Sequence, residues 1–259
     1  MQKKYVILFG FFLFFWSLYL VLAKVPAVFV LNNLSEEIKG LSVTNVSGTL
    51  WQGEASLRLA MVDPPLVIKE AKWELSMFAL LSFDAQLWVE AEIPQGQLQG
   101  DLDFDFIAQS LKIKALTGKV ASSTIQPYLS LPFVADGLID FDLKQLHFTD
   151  NQLMALDGRL ILQNINLTAP NNIELGTFAV DLNLMEEKPV VKASLTDVDA
   201  TINLQGLAWF NLKGDYRLEV TTRPKEEANP LILNTLKQFY PQSSSGEFSI
   251  QFGQAVEKL

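Results

Sequence analysis

Apolar and polar residues alternate along most of the chain after residue 41. In residues 83–93 every second side chain is apolar, and the positions between them are polar except for Trp88. Strict alternation over this length is typical of a half-buried β-strand, because successive side chains of a strand point to opposite faces. The same period recurs in residues 55–61, 98–106, 139–143, 178–184, 216–220 and 248–252.

Glycine and proline residues separate these runs and predict turns between them. We expect roughly ten to thirteen strands, joined mostly as hairpins and therefore antiparallel. Because one face of each strand is polar, the sheet should be solvated on one side. A long sheet of this kind must cover its apolar face by curling, closing or packing against a second layer. The predicted fold is mainly β: an antiparallel, curved multi-stranded sheet or a partly closed barrel.

Three short segments have helical features. Residues 26–34 are apolar, and the proline that opens them suits the first turn of a helix. Residues 229–240 begin with Asn229, whose side chain can cap the first amide groups, followed by Pro230. Residues 73–81 contain a cluster of apolar residues, although Trp73 also fits the end of a strand. We therefore expect one or two short helices beside the sheet.

An apolar segment near the N-terminus predicts a membrane anchor. Residues 5–23 contain no charged side chain over 19 positions. As a helix this segment spans about 28 Å, close to the hydrocarbon thickness of a bilayer. Lys3 and Lys4 precede it and favour a cytoplasmic N-terminus. We expect a single transmembrane helix within an anchor of residues 1–24, and a periplasmic β-rich domain in residues 25–259. The alternative is a cleaved signal peptide, whose apolar region is usually only about 7–15 residues long.

Composition excludes several kinds of chemistry. The chain of 259 residues contains no cysteine and one histidine, which rules out disulfides, cysteine nucleophiles and metal sites built on thiolates or several histidines. The formal net charge of −9 argues against a nucleic-acid partner, since a phosphate backbone requires a positive surface. The chain contains no glycine-rich phosphate-binding motif. We expect no cofactor.

Two sets of titratable residues have structural interpretations. His147 lies in a predicted strand, on the face expected to be solvated, and no G-x-S-x-G motif accompanies it. Asp101, Asp103 and Asp105 resemble the start of a calcium loop, but Phe106 stands where such a loop requires glycine. On a strand these carboxylates would lie about 6.8 Å apart, too far for one ion. We expect a solvated acidic face, no metal site and no enzymatic activity; a hydrolase built on a carboxylate pair is the remaining enzymatic alternative.

The most distinctive motif is Gly48-Thr49-Leu50-Trp51-Gln52-Gly53. It resembles the G-T-L-W-x-G signature of the type II secretion system protein N (GspN) family. Trp73, in a Lys-Trp-Glu-Leu segment followed by Ala79-Leu80-Leu81, resembles a second conserved element of that family. Further short motifs recur in order, namely Leu131-Pro132, Gly137-Leu138, Leu156-Asp157-Gly158, Leu175-Gly176, Leu204-Gln205-Gly206 and Gly214-Asp215-Tyr216. The resemblance covers nearly the whole chain.

This resemblance implies a non-enzymatic accessory component of the type II secretion system. Such a protein would be anchored in the inner membrane of a Gram-negative bacterium, face the periplasm, and support protein export across the outer membrane. The implied partners are other components of that system, namely the inner-membrane clamp protein C and the outer-membrane secretin D. The motif residues should have a structural or partner-contact role, and they are Gly48, Thr49, Leu50, Trp51, Gly53 and Trp73. Of these, Trp51 is expected to be a packed core aromatic.

A second hypothesis is an AsmA-like, membrane-anchored protein that binds or transfers lipid. A curved sheet with one apolar face can form a groove for a lipid ligand. In that case Leu102, Phe104 and Phe106 would contact the lipid instead of packing against the protein.

Overall fold

The computed structural model describes residues 11–13, 16–17, 19–20, 22–60, 63–77, 79, 83–128, 134–150, 152–169, 172–185, 189–211 and 215–253. Its main element is a sheet whose thirteen strands follow the alternating runs of the sequence. The strands are β1 (Leu41–Gly48), β2 (Gln52–Leu59), β3 (Leu66–Leu75), β4 (Asp84–Ile93), β5 (Gly96–Asp105), β6 (Ser110–Ala121), β7 (Val134–Thr149), β8 (Gln152–Ala169), β9 (Ile173–Leu184), β10 (Val190–Ala200), β11 (Ile202–Asn211), β12 (Tyr216–Pro224) and β13 (Phe248–Gly253).

The strands pair in the order in which they occur in the sequence, from β1 to β13, and each pair is antiparallel. Within the described part of the chain the sheet is not closed, since β1 and β13 lie at opposite ends of this order. The prediction of a mainly β, antiparallel fold is confirmed. Of the two forms expected, an open curved sheet or a partly closed barrel, the described residues support the open sheet, because β1 and β13 do not pair.

Several strands contain β-bulges. Asn45, Ala115 and Asn164 have φ of 53°, 49° and 52° and lie at shifts in strand register. A bulge adds one residue to one strand, so that the alternation resumes with apolar side chains on the original face. In β6, for example, half-buried Ile113 and Leu116 lie on either side of the bulge. Bulges also increase the local twist of a sheet.

Three further helices accompany the N-terminal segment in the described residues: α1 (Ala27–Glu37), α2 (Ser122–Ile125) and α3 (Pro230–Phe239). A 3₁₀ turn, Gln126–Tyr128, follows α2. The helix expected at residues 229–240 is confirmed by α3, in which the side chain of Asn229 accepts a 3.0 Å hydrogen bond from the amide of Leu231. The helix expected at residues 26–34 is confirmed by α1, which continues to Glu37.

Of the two alternatives for Trp73, the end of a strand is confirmed and the start of a helix is not. Trp73 belongs to β3 and is paired with Val89 of β4. The cluster of apolar residues suggested a helix, but cross-strand pairing determines the conformation here. Residues 78 and 80–82 lie outside the described part of the chain.

The apolar face of the sheet is covered mainly at its two ends. At one end, Ile232 of α3 is 8% exposed and packs with Phe178 and Ile202. At the other end, α1 lies over the first strands of the sheet. Among the described residues, Phe248 is the only large side chain that is almost fully buried, while Phe106 is 51% exposed. The apolar face is therefore only partly covered.

The described residues of the N-terminal segment are helical from 11 to 23. The remaining positions of the expected anchor, residues 5–10, 14, 15, 18 and 21, lie outside the described residues. In the part of the chain that the structure describes, no helix is both long enough and apolar enough to cross a bilayer.

Candidate functional site

The turn between β1 and β2 carries the G-T-L-W-x-G motif. The amide of Thr49 donates a 2.8 Å hydrogen bond to the carbonyl oxygen of Gln52, and the amide of Gln52 donates a 3.3 Å hydrogen bond to the hydroxyl of Thr49. These two bonds close the turn around Leu50 and Trp51. Both residues are therefore held in fixed positions at the end of the hairpin.

Gly48 and Gly53 flank this turn and leave no room for a side chain. Gly48 has a φ of 85°, which disfavours other residues, and a Cβ there would overlap the carbonyl of Gln52. A Cβ at Gly53 would lie 2.5 Å from the carbonyl oxygen of Ser47 and 2.5 Å from the ring of Trp73. The two glycines thus allow the hairpin to close and Trp73 to pack directly against it.

The hairpin is hydrogen-bonded to the end of the N-terminal helical segment. Trp51 Nε1 donates a 2.7 Å hydrogen bond to the carbonyl oxygen of Leu22. The amide of Leu50 donates a 2.9 Å hydrogen bond to the carbonyl oxygen of Val25. The carbonyl oxygen of Leu22 also accepts a 3.2 Å hydrogen bond from the amide of Val25, so Trp51 adds a second donor where the helix ends. The motif therefore fixes the sheet to the point where the N-terminal helix ends.

The same hairpin is also bonded to β3. Trp73 Nε1 donates a 3.0 Å hydrogen bond to the carbonyl oxygen of Leu50. The amide of Leu75 donates a 2.6 Å hydrogen bond to the carbonyl oxygen of Trp51. The structure thus brings together in one cluster all six motif residues that the sequence singled out. Half-buried Trp51 bonds to the N-terminal segment through its side chain and to β3 through its backbone.

An apolar cavity of about 370 Å³ lies between α1 and the sheet, next to this cluster. Leu50 and Trp73 form part of its wall, together with apolar side chains of α1 and of β2 to β6. Two of the three residues named by the lipid hypothesis, Leu102 and Phe104, also line it. The third, Phe106, lies edge-on to Phe104 with 5.0 Å between the ring centroids. Leu50 therefore belongs both to the hairpin cluster and to the cavity.

The opposite face of the sheet carries charged residues that are paired with one another. Lys114 Nζ lies 2.5 Å from Asp103 Oδ2, and Lys72 Nζ lies 2.9 Å from Glu70 Oε1. The hydrogen bond to Asp103 and then its negative charge raise the pKa of Lys114 above the ordinary lysine value. Glu70 raises the pKa of Lys72 for the same two reasons. The two ion pairs therefore contribute local stability to the solvated face of the sheet.

The remaining candidate residues have structural partners. Asp105 Oδ1 accepts hydrogen bonds of 2.8 and 2.9 Å from the amides of Ile107 and Ala108, and thus shapes the turn between β5 and β6. His147 is half-buried, and its Nε2 lies 3.2 Å from Thr149 Oγ1. Among the described residues, no group of three or more His, Asp or Glu side chains is placed to hold a metal ion.

Comparison with known proteins identifies the family. The model of the family "Type II secretion system (T2SS), protein N" matches residues 39–251, from just before β1 into β13. The chain belongs to this family. It is also similar to the type II secretion system protein N of Vibrio cholerae serotype O1 (strain ATCC 39315 / El Tor Inaba N16961), with 24% identity over 220 residues that cover 76% of this chain and 82% of the relative. No solved structure matches the chain.

Membership of the protein N family makes the chain an accessory component of type II secretion, and hence of protein transport. It also implies association with other components of that system. The matched range includes the whole hairpin cluster, from Gly48 to Trp73. The family to which the sequence motifs pointed is thus confirmed.

The bonding partners of the hairpin were missed by sequence reasoning. Leu22 and Val25 contribute backbone carbonyls, which carry no residue-specific signal. One clue was present, because the indole N–H of a packed tryptophan normally requires an acceptor. The acceptor of Trp51 lies 29 residues away in the sequence, and local periodicity does not identify it.

Proposed function

We propose that this protein is a non-enzymatic scaffold of the type II secretion system, anchored in the inner membrane by residues 5–23. Residues 25–259 would then lie in the periplasm, with the N-terminus in the cytoplasm. The observation that best supports this proposal is the pair of hydrogen bonds from Trp51 to Leu22 and from Leu50 to Val25. They hold the sheet in a fixed position at the end of the apolar N-terminal segment.

Anchoring gives a scaffold a physical advantage. A protein held at a membrane meets other membrane-bound partners at a raised effective concentration, without any additional contact surface. The aromatic side chains of Trp16 and Tyr19 fit this placement, because such residues favour the interface between lipid and water. They lie in the second half of the segment and would be close to its periplasmic end.

The final strand offers a surface for a partner. Proteins commonly protect an exposed sheet edge with charged residues or prolines. β13 has the sequence FSIQFG and contains neither. In the described part of the chain, its outer edge is bridged by Gln242 at Phe248, and no other strand pairs with it there. An extended partner segment can add as a further strand along the rest of this edge. We propose that this segment belongs to the inner-membrane clamp protein or to the secretin.

Photo-crosslinking in cells tests the edge contact. A photoreactive amino acid at exposed Ser249 of β13 should crosslink to the clamp protein or the secretin. The matched control places the same photoreactive amino acid at exposed Gln99 of β5, a strand paired on both sides. It should not crosslink to either partner. A Gln251→Lys substitution on β13 should reduce the crosslink from position 249. Equal crosslinking from both positions, or none from Ser249, would contradict strand addition.

The proposed topology has a separate test. Because the chain contains no cysteine, a single cysteine at exposed Ser245 gives a unique labelling site. A maleimide that cannot cross the inner membrane should label it once the outer membrane has been permeabilised. The intact mass of the purified protein should retain residues 1–24. Labelling only after lysis, or loss of the N-terminal segment, would contradict the proposed anchoring.

One observation favours the second candidate function, an AsmA-like lipid-binding groove. The cavity of about 370 Å³ between α1 and the sheet has an apolar wall that includes Leu102 and Phe104. Lipid binding is compatible with a scaffold role, since the cavity and the free edge of β13 involve different strands.

A further inference from the structure

The cavity between α1 and the sheet has the chemistry of a hydrocarbon site. We propose that it binds one acyl chain of a membrane phospholipid. This inference rests on the proposed anchoring in the inner membrane and goes beyond the scaffold role. It assigns a ligand class to a site formed by α1, the β1–β2 turn and the apolar face of β2 to β6.

The wall of the cavity selects hydrocarbon over a polar group. Among the described residues that line it, Lys72 alone is charged. The ammonium of Lys72 is bonded to Glu70 at 2.9 Å on the polar face of the sheet, so it does not supply a charge to the cavity. The volume of about 370 Å³ lies near the lower end of the ~300–1,000 Å³ typical of ligand pockets. It therefore suits a single acyl chain whose headgroup stays outside.

The two ends of the sheet differ in how the helices cover them. Ile232 and Leu236 of α3 pack onto a cluster that includes Phe178 and Ile202. In α1, buried Ala27 and half-buried Val30 and Leu31 form part of the cavity wall instead of packing into a closed cluster. An acyl chain lying against this apolar wall would gain dispersion contacts and remove apolar surface from water.

The position of the cavity identifies the bilayer as the source of the ligand. Leu50, in the cavity wall, is hydrogen-bonded to Val25 at the end of the N-terminal segment. The outer side of α1 exposes Val28 by 45% and Phe29 by 69%, and α1 has no charged residue before Glu36. A helix that presents apolar side chains beside a membrane anchor favours the interfacial region of the bilayer. The cavity would then open next to lipid.

Fluorine NMR of the full chain in vesicles tests the proposal. The protein is labelled with fluorotryptophan and reconstituted into phosphatidylethanolamine and phosphatidylglycerol. The vesicles contain a small fraction of phosphatidylcholine that carries a nitroxide near the end of one acyl chain. The nitroxide should broaden the resonance of Trp73, in the cavity wall, and that of Trp16, in the anchor. The resonance of Trp209 in β11, far along the sheet, should stay sharp.

Cavity-filling variants distinguish insertion of the acyl chain from simple proximity to the membrane. Ala85→Phe places a phenyl ring in the cavity, and Leu57→Phe fills it from another strand. Either variant should reduce the broadening of Trp73 to the level seen for Trp209, while the Trp16 resonance stays broadened. The matched control is Ala208→Phe, at a half-buried position of β11. This substitution should leave the broadening of Trp73 unchanged. Circular dichroism of each variant confirms that it is folded.

The outcomes separate this inference from the proposed anchoring. Broadening of Trp16 without Trp73 would overturn the inference and leave the anchor intact. Sharp resonances for both would contradict the anchoring on which the inference rests. Broadening of Trp73 that persists in both filled variants would show that the nitroxide acts from outside the cavity. A sharp Trp73 resonance together with a crosslink from Phe104 to a second copy or to a secretion component would assign a protein side chain as the occupant.

Discussion

The indole of Trp51 donates a hydrogen bond of 2.7 Å to the carbonyl oxygen of Leu22, across 29 positions of sequence. Through this bond a side chain from the first hairpin of the sheet contacts the end of the N-terminal helical segment. A tryptophan that the sequence suggested as a packing residue is therefore also the connection between the segment and the β domain.

Removing this donor should loosen the connection. Trp51→Phe keeps an aromatic ring but cannot bond to Leu22, and it should lower local stability by about 1 kcal/mol. Exposed Lys24 lies between Leu22 and Val25 and should become easier for trypsin to cleave. Limited proteolysis followed by mass spectrometry measures this change. Trp209→Phe is the control, and an equal cleavage rate after Lys24 in both variants would contradict the proposed role of the bond.

A methyl group at Gly53 should destabilise the hairpin. In Gly53→Ala the new Cβ would lie 2.5 Å from both the Ser47 carbonyl oxygen and the Trp73 ring, so backbone or ring must move. We expect a loss of about 1–3 kcal/mol in the free energy of unfolding, as for other overpacked sites. Urea denaturation measures it. Gly100→Ala, whose nearest contact is a Leu116 methyl group at 3.0 Å, should cost less; the reverse order would refute the argument.

The bulge in β6 offers a stabilising substitution. Ala115 has a φ of 49°, a left-handed conformation that is unfavourable for a residue with a Cβ. Ala115→Gly relieves this strain but adds freedom to the unfolded chain, and the net gain should be about 0.5–1 kcal/mol. Ala208→Gly, in the regular strand β11, should instead lose about 0.5–1 kcal/mol. Urea midpoints of the two variants should therefore shift in opposite directions.

The ion pair between Asp103 and Lys114 should make a small contribution that depends on pH. The raised pKa of Lys114 means that its stabilising effect is fully present below the unfolded value of 10.5 and is lost as the pH rises through the folded value. Because the pair is largely exposed, Lys114→Met should cost only about 0.5 kcal/mol at pH 7. Double-mutant cycles with Asp103→Asn, at neutral pH and at a series of pH values rising from 10.5, measure the coupling. A coupling that does not fall along this series would contradict this account.

The alternating pattern allowed much of the sheet to be predicted. Residues 83–93 form β4 almost completely, from Asp84 to Ile93, because a half-buried strand must alternate along its length. The same pattern does not determine whether the outer strands meet, since alternation records only which face a residue occupies. Closure depends on pairing between residues 41–48 and 248–253, which no local signal encodes.

The candidate site was predictable in its residues but not in its geometry. Gly53 and Trp73 were singled out separately, and the direct contact between them emerges only when β2 and β3 pair. The two alternatives left open for Trp73 have the same origin. Its apolar neighbours fit a helical segment locally, and its partner Val89 lies on another strand. Leu50 lines the cavity because the turn brings it beneath α1, which composition does not reveal.

The strictly sequential order of the strands has a consequence for biogenesis. Each strand after the first pairs with the strand that directly precedes it in the sequence. No strand therefore requires a segment from a distant part of the chain before it can pair. Such a chain can assemble hairpin by hairpin as it emerges, beginning with the β1–β2 hairpin at its N-terminal end. The length of the finished body can also change by the gain or loss of single hairpins, much as in a solenoid.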